Sequence, residues 1–355
     1  MLGIDRRAAR YTWTAALILL LLCLVYLVRS TLFVFILALL FAYLLAPLVG
    51  LIDRFLPGNR TRNLALAGAY IIFMGIVVLA GTQIGSRVVD EANNFAKKLP
   101  DMLSAWEKPI PQAADSINSI KDQIVGTIRK EVAQRSGDLI SALPRAGLKA
   151  LTVASDVIYI VIIPILAFFF LKDARVMKDH ILDMVSDGSR RSMLDDLLAD
   201  VNLLLASYIR ALMLLALAAF TAYSIFFAIM GVPYAVLLAA LAGLLEFIPM
   251  IGPLTAGTII MIVALLSNSH ALAVLIFLLA YRVAQDYVLS PHLMSQGVAL
   301  HPLVVLFGVF AGAEIAGIPG TFLSVPVLAL MRVIYLRIRK SRLGAQFAPV
   351  PEDQL

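Results

Sequence analysis

The sequence predicts an all-α polytopic membrane protein. It would have six full transmembrane helices, two inverted re-entrant helical hairpins and a small helical extracytoplasmic insert. Three observations predict this. Hydrophobic residues make up 61% of the 355 positions and charged residues 15%, against about 45–50% and about 25% in soluble domains. Apolar segments near the ~20 residues that span a bilayer recur along the chain. The last third repeats one phrase. Pro233-Tyr-Ala-Val236-Leu237 is followed by Ala242-Gly243, Glu246, Ile248-Pro249 and Gly252, and Pro302-Leu-Val-Val305-Leu306 by Ala311-Gly312, Glu314, Ile318-Pro319 and Gly320. Nine matched positions lie 68 to 70 residues apart.

Residues 1–85 hold three spans, at 12–28, 31–52 and 64–84. Arg6, Arg7 and Arg10 before the first apolar run resemble a signal peptide. That run lacks a small-residue cleavage site and meets the next almost at once, so a retained anchor is expected. Arg29-Ser30 alone divides the first two spans, which predicts a tight hairpin. Residues 86–150 form a polar insert with ten Lys and Arg. Long loops translocate largely regardless of charge, which places it outside. Ile117, Ile120, Ile124, Val125, Ile128 and Val132 recur at helical spacing there. A helical domain packing on itself or on neighbouring subunits is the plain reading, and a lid or gate the functional one.

Residues 151–230 carry the fourth and fifth spans, at 151–171 and 211–230, with an amphipathic cytoplasmic helix at 195–205. Residues 231–335 hold both repeats and a sixth span at 271–289. Residues 336–355 are a cytoplasmic tail, expected to be disordered from Leu343. The basic groups fall on one side if the spans alternate: Arg6, Arg7 and Arg10; Arg54, Arg60 and Arg62; Lys172, Arg175, Lys178, Arg190 and Arg191; Arg332, Arg337, Arg339, Lys340 and Arg342. Both termini are then cytoplasmic. The same placement accounts for the net charge of +6 without a nucleic-acid partner.

Residues 233–266 would reach about 50 Å as one helix, too long for one span. Broken at 249–253, each arm is too short to cross. The second copy breaks at 317–320. Two re-entrant hairpins separated by one full span are inverted relative to each other, and eight spans is the alternative. Paired apolar segments interrupted by Pro and Gly point to the binding site of a secondary transporter. The candidate hairpin tips are Pro249, Gly252 and Pro253, and Gly317, Pro319 and Gly320.

Residues 201–331 contain the acids Glu246, Asp286 and Glu314 and the strong bases Arg210 and Arg282. A charge at the bilayer centre costs at least about 2.5 kcal/mol, so each calls for a reason. Glu246 and Glu314 stand at matching points of the repeats, where a carboxylate can accept a coupling proton or coordinate Na⁺, or can cap a broken helix. Arg282 and Asp286 share a helical face as an ion pair or a charge relay. Arg210 sits at a span edge, where snorkelling explains it. His270, His292 and His301 lack metal-ligand spacing, so no metal and no cofactor is expected. No nucleophile–base pair suggests an enzyme, and the single Cys23 makes no intrachain disulfide.

Several stretches together resemble the autoinducer-2 exporter family of bacterial membrane permeases. They are Phe168-Phe169-Phe170-Leu171-Lys172-Asp173, Ser207-Tyr208-Ile209-Arg210, Gly231-Val232-Pro233, Phe247 to Pro253, Leu289-Ser290-Pro291-His292-Leu293-Met294, Leu300 to Val305 and Gly317 to Pro326. The resemblance implies an inner-membrane secondary transporter exporting a small polar solute such as autoinducer-2, coupled to protons. It implies a homo-oligomer, with a pentamer expected. A Na⁺(Li⁺)/H⁺ antiporter is the alternative, and a non-transport docking protein the remote one. The family pattern has Tyr where this chain has Met250, which removes a hydroxyl from the first tip. Expected partners are a small-molecule or ion substrate and the lipid bilayer.

Overall fold

A computed structural model of the chain describes residues 6–55, 62–106, 126, 154–186, 188–267, 270–293 and 300–346. The chain forms α1 (Arg6–Leu27), α2 (Arg29–Phe55), α3 (Arg62–Ala80), α4 (Ser86–Trp106), α5 (Ala154–Asp183) and α6 (Gly188–Met230). It continues through α7 (Ala235–Leu245), α8 (Ile251–Leu266), α9 (Ala271–Ala284), α10 (Ser290–Leu293) and α11 (Pro302–Gln346). Wide π turns at Gly81–Gly85 and Gln285–Leu289 join α3 to α4 and α9 to α10. No strand occurs among the described residues. Among the described residues, six stretches are long and apolar enough to cross a membrane: Arg10–Leu27, Arg29–Phe55, Asn63–Ala105, Gly188–Met230, Ala271–Leu293 and Pro302–Arg337. The fourth expected span lies on α5, apart from residues 151–153, which lie outside the described residues. This is a polytopic all-α membrane protein.

The chain divides into two units. In the first, residues 1–68 and 154–174, α2 buries Ala38, Leu40, Ala42, Leu45 and Val49. Phe35 meets Phe170 edge-on at 6.1 Å. Two sequence expectations change here and in α3. Residues 10–27 of α1 are all exposed, and the i→i−4 hydrogen bonds resume on either side of Val28, from Val28 N–H to Leu24 and from Leu32 N–H to Val28. A single residue is too short to reverse a helix, so the tight hairpin expected at Arg29-Ser30 is not formed. The third span does not stop at 84. It runs through the π turn into α4, because 86–106 is itself an amphipathic helix. The isoleucine pattern at 117–132 lies outside the described residues.

The second unit, residues 69–153 and 175–355, contains both repeats. The 43 residues of α6 extend about 65 Å, which exceeds the ~30 Å hydrocarbon layer. The stretch at 195–205, read as an amphipathic helix leading into the fifth span, lies within its first half. The first repeat is a pair of short helices, α7 with 11 residues and α8 with 16. At about 16 Å and 24 Å neither reaches across a bilayer. The second repeat is α11, interrupted at Ala316 (φ −143, ψ 19) and Gly317 (φ 62, ψ −143). Here the chain doubles back. A Cβ at Gly312 would sit 2.3 Å from the Gly320 carbonyl, and one at Gly308 would sit 2.3 Å from the Leu328 side chain. Contacts at 312–320 and 308–328 run antiparallel. Thr321 Oγ1 donates to the Gly317 carbonyl at 3.0 Å, repairing a group freed by the break. Residues 343–346, expected in the disordered tail, continue the helix.

The core of this unit lies where α6, the first hairpin and α9 meet. Ala219, Tyr223 and Phe227 pack with Leu238, Ala239, Ala242, Ile260, Val263 and Val274. Phe226 stacks on Phe277 at 3.9 Å, and Tyr223 meets Tyr281 at 5.0 Å. At the far end of α6, Arg337 of α11 pairs with Asp196 at 2.9 Å and Asp200 at 2.6 Å. The second hairpin therefore exits beside the N-terminal end of α6, and the first hairpin begins at the opposite end, after Met230.

Candidate functional site

The turn between α7 and α8 builds the site. Its backbone satisfies itself: the amides of Glu246, Phe247, Ile248, Ile251 and Gly252 donate to carbonyls of residues 242, 244, 245, 249 and 248. The Gly252 position permits this only without a side chain, since a Cβ there would lie 1.8 Å from the Leu245 carbonyl. Met250 takes φ 64, ψ −54, an unfavourable region for a residue with a Cβ. These five tip amides are therefore taken up within the turn itself.

Glu246 ends α7 and is buried at 8% exposure. The Gln285 amide Nε2 donates to Glu246 Oε2 at 2.7 Å, itself at 4% exposure. A carboxamide carries both a donor and an acceptor. Gln285 can therefore donate to a carboxylate or accept from a protonated carboxyl, and neither state leaves the buried acid unpaired. Three residues before Gln285 and one after it, Arg282 Nε and Asp286 Oδ2 form an ion pair at 2.9 Å, both half-exposed. They answer each other, which leaves Glu246 as the lining carboxyl without an opposite charge bonded to it.

These groups line a cavity of about 270 Å³ between α6, the first hairpin tip, the α9–α10 π turn and the second hairpin. Its wall is largely apolar, with Leu204, Leu212, Leu215, Val305, Val325 and Ala329. The π turn spans Gln285–Leu289, so the helix widens where it faces the cavity. Ser207 Oγ and Tyr208 OH also belong to the lining, are buried and have no protein hydrogen-bond partner.

Of the sequence candidates, Glu246, Arg282, Asp286, Pro249 and Pro253 come together around this cavity. Gly252 is buried behind the tip. Glu314 is exposed on the first arm of the second hairpin and is not in the lining, and Arg210 is exposed on α6 and also outside it. Gly317, Pro319 and Gly320 shape the second turn without lining the cavity. Sequence reasoning assigned no role to Gln285, Ser207 or Tyr208. The signal for Gln285 was its place on the helical face of Arg282 and Asp286. Ser207 and Tyr208 share one face of α6 with Leu204, Leu212 and Leu215, four apart or nearly so.

A family model described as AI-2E family transporter matches residues 15–340. The chain belongs to the AI-2E transporter family. Among its relatives is YrrI of Bacillus subtilis (strain 168), a transport protein by its name. It is 24% identical over 320 residues, covering 89% of each chain. MT0215 of Mycobacterium tuberculosis (strain CDC 1551 / Oshkosh), likewise named for transport, is 28% identical over 327 residues, covering 90% of this chain and 86% of its own. PerM of Escherichia coli (strain K12), named as a permease, is 25% identical over 284 residues, covering 77% and 78%. AI-2E membership and these names mark a multi-pass membrane protein of a transporter family.

Proposed function

We propose that this AI-2E family protein is a proton-coupled secondary transporter of the bacterial inner membrane that exports a small polar solute such as autoinducer-2. One observation carries the reading. A buried carboxyl, Glu246, stands at the tip of a broken hairpin, lines a cavity among apolar helices, and is held by a carboxamide that accommodates both of its protonation states. Intramembrane acids facing a cavity are functional by default, because their burial is costly. Proton loss and uptake at Glu246 would accompany solute release and binding. The Ser207 and Tyr208 hydroxyls supply hydrogen bonds for the solute, and Arg282–Asp286 closes the rim. Glu314 has a second role on the other hairpin, outside the cavity.

The geometry supports a matching orientation. Arg337 pairs with Asp196 and Asp200 near the start of α6, which supports reading this arginine-rich side as the cytoplasmic one under the positive-inside rule. A homo-oligomer, with the exposed apolar faces of α1 and α2 as contacts, belongs to the same proposal.

Efflux of autoinducer-2 from proteoliposomes, with and without an imposed pH gradient, tests the reading for the parent and for Glu246→Gln. The expected result is gradient-driven efflux that the substitution abolishes. Gln keeps the size and an acceptor for Gln285, so the fold survives. Proton movement driven by Na⁺ or Li⁺ in place of autoinducer-2 would move the assignment to cation/proton antiport at the same carboxyl. Full efflux in Glu246→Gln would remove the coupling role.

A further inference from the structure

The helix α4 leaves the third span and lies along the first hairpin. Tyr234, just before α7, is left-handed (φ 61) and gives no side-chain cap. The first-turn amides of α7 therefore need an acceptor from elsewhere. Glu91 of α4 supplies it: Glu91 Oε2 accepts the Leu237 N–H at 2.8 Å, across 146 positions of sequence. One turn on, Phe95 packs edge-on against Tyr234 at 5.2 Å. Further along, Leu99, Met102 and Leu103 meet Ile262 and Leu266 near the end of α8. The helix thus grips the entrance of one arm and the exit of the other.

A carboxylate suits this place, because it only accepts hydrogen bonds and its charge meets the positive end of the helix dipole. The arm it caps is short. Its 11 residues form a rod of about 16 Å, with Glu91 bound in the first turn and Glu246 standing at the last. We infer that Glu91 is a positioning residue: by capping α7 from α4 it fixes the hairpin arm that carries Glu246, and the first hairpin moves only when this cap opens. The inference concerns motion of the hairpin. Its importance for flux rests on the coupling role proposed for Glu246.

The test uses the full chain in vesicles with Cys23→Ser and a reporter, Met250→Cys, at the tip, where Met250 is 42% exposed. A membrane-impermeant maleimide is applied from the side of the insert. Glu91→Ala should raise the labelling rate about 5-fold, the population change carried by a typical N-cap. Glu91→Gln keeps an acceptor without the charge and should fall between parent and Ala. In flux assays it should rescue what Ala loses. Unchanged labelling in folded Glu91→Gln and Glu91→Ala overturns the inference. Should Ala fail to fold, Gln alone decides it. Labelling needs no cargo, so altered labelling with Glu246→Gln flux intact keeps the clamp and sinks the coupling reading. Unchanged labelling with flux lost in Glu246→Gln does the reverse.

Discussion

The two hairpins share a sequence phrase and differ in what surrounds their acids. Glu246 is buried against Gln285, whereas Glu314 is exposed. The equivalent glycines differ as well. A Cβ at Gly243 would press on Ala216 and Phe220 of α6, and one at Gly312 on Gly320 of its own second arm. A repeated phrase thus sets where the chain breaks, and the neighbouring helices set what the break can do. The shift is visible in the numbering. Ala242-Gly243 and Ala311-Gly312 are 69 residues apart, but Glu246 and Glu314 only 68. One residue is about 100° around a helix, enough to turn the second acid away from the face the first one uses.

Exchanging the two acids for amides breaks or sharpens this contrast most. Glu246→Gln should reduce pH-gradient-driven efflux to background. Glu314→Gln should leave most of it, since this carboxylate stands outside the cavity lining. Equal losses would mean that the second hairpin joins the cavity in another conformation. Proteoliposome efflux at matched protein insertion reads both.

The turns themselves come next. At Gly252 a Cβ meets a backbone carbonyl at 1.8 Å, so Gly252→Ala forces the backbone apart. It should cost about 3 kcal/mol or more, at the upper end of overpacking. Gly317 has nothing within 4 Å of its Cβ position. Gly317→Ala should pay for its left-handed backbone alone, about 1–3 kcal/mol. Gly257, also in open space but regular helix, is the control and should change little. Thermal unfolding in detergent ranks the three, and a Gly317 variant weaker than the Gly252 one would reverse the view that the first tip is the tighter.

Much of this architecture was legible in the sequence because bilayer length and helix breakers are local signals. Pro249, Pro253 and Gly317 marked both turns, and Glu246 was visible as an acid in an apolar run. Three things were not legible. The partner of Glu246 lies 39 residues away on another helix, and a glutamine carries no hydropathy alarm of the kind a charge does. The Ser207 and Tyr208 hydroxyls look like ordinary members of an apolar face until α6 is seen beside the first tip. The clamp from Glu91 spans 146 residues and starts in a stretch that reads as the beginning of a polar insert. Even the span count blurred at Arg29-Ser30, where a charge suggested a reversal that one residue cannot make.

The partner of Glu246 gives a third contrast. Gln285→Leu removes a hydrogen bond from a buried carboxyl and leaves it unpaired, at a cost of about 1–3 kcal/mol. The matching change on the second hairpin, Thr321→Val, removes a donor to the Gly317 carbonyl. A carbonyl at a turn finds other partners more readily than a buried acid. Thr321→Val should therefore cost the smaller amount, near 1 kcal/mol. Chemical denaturation of both variants measures the difference. In Gln285→Glu, two carboxyls would share one site, and stability should fall as pH rises and the second proton is lost.

The smallest effect separates how the hairpins are anchored. Arg337 contacts Asp200 through Nε at 2.7 Å and Asp196 through Nη1 at 2.9 Å, and its side chain is 27% exposed. Such pairs in contact with water contribute about 0.2–1 kcal/mol each and are screened by salt. Arg337→Ala should therefore lower the melting temperature only slightly at low ionic strength, and 1 M NaCl should bring the parent down towards the variant. The first hairpin is held differently, by a half-buried cap and by apolar contacts between α4 and α8. The gap between parent and Glu91→Ala should persist in the same salt. If salt closed both gaps equally, the first hairpin would be anchored by charge like the second, and the apolar contacts of Leu103 and Leu266 would contribute little.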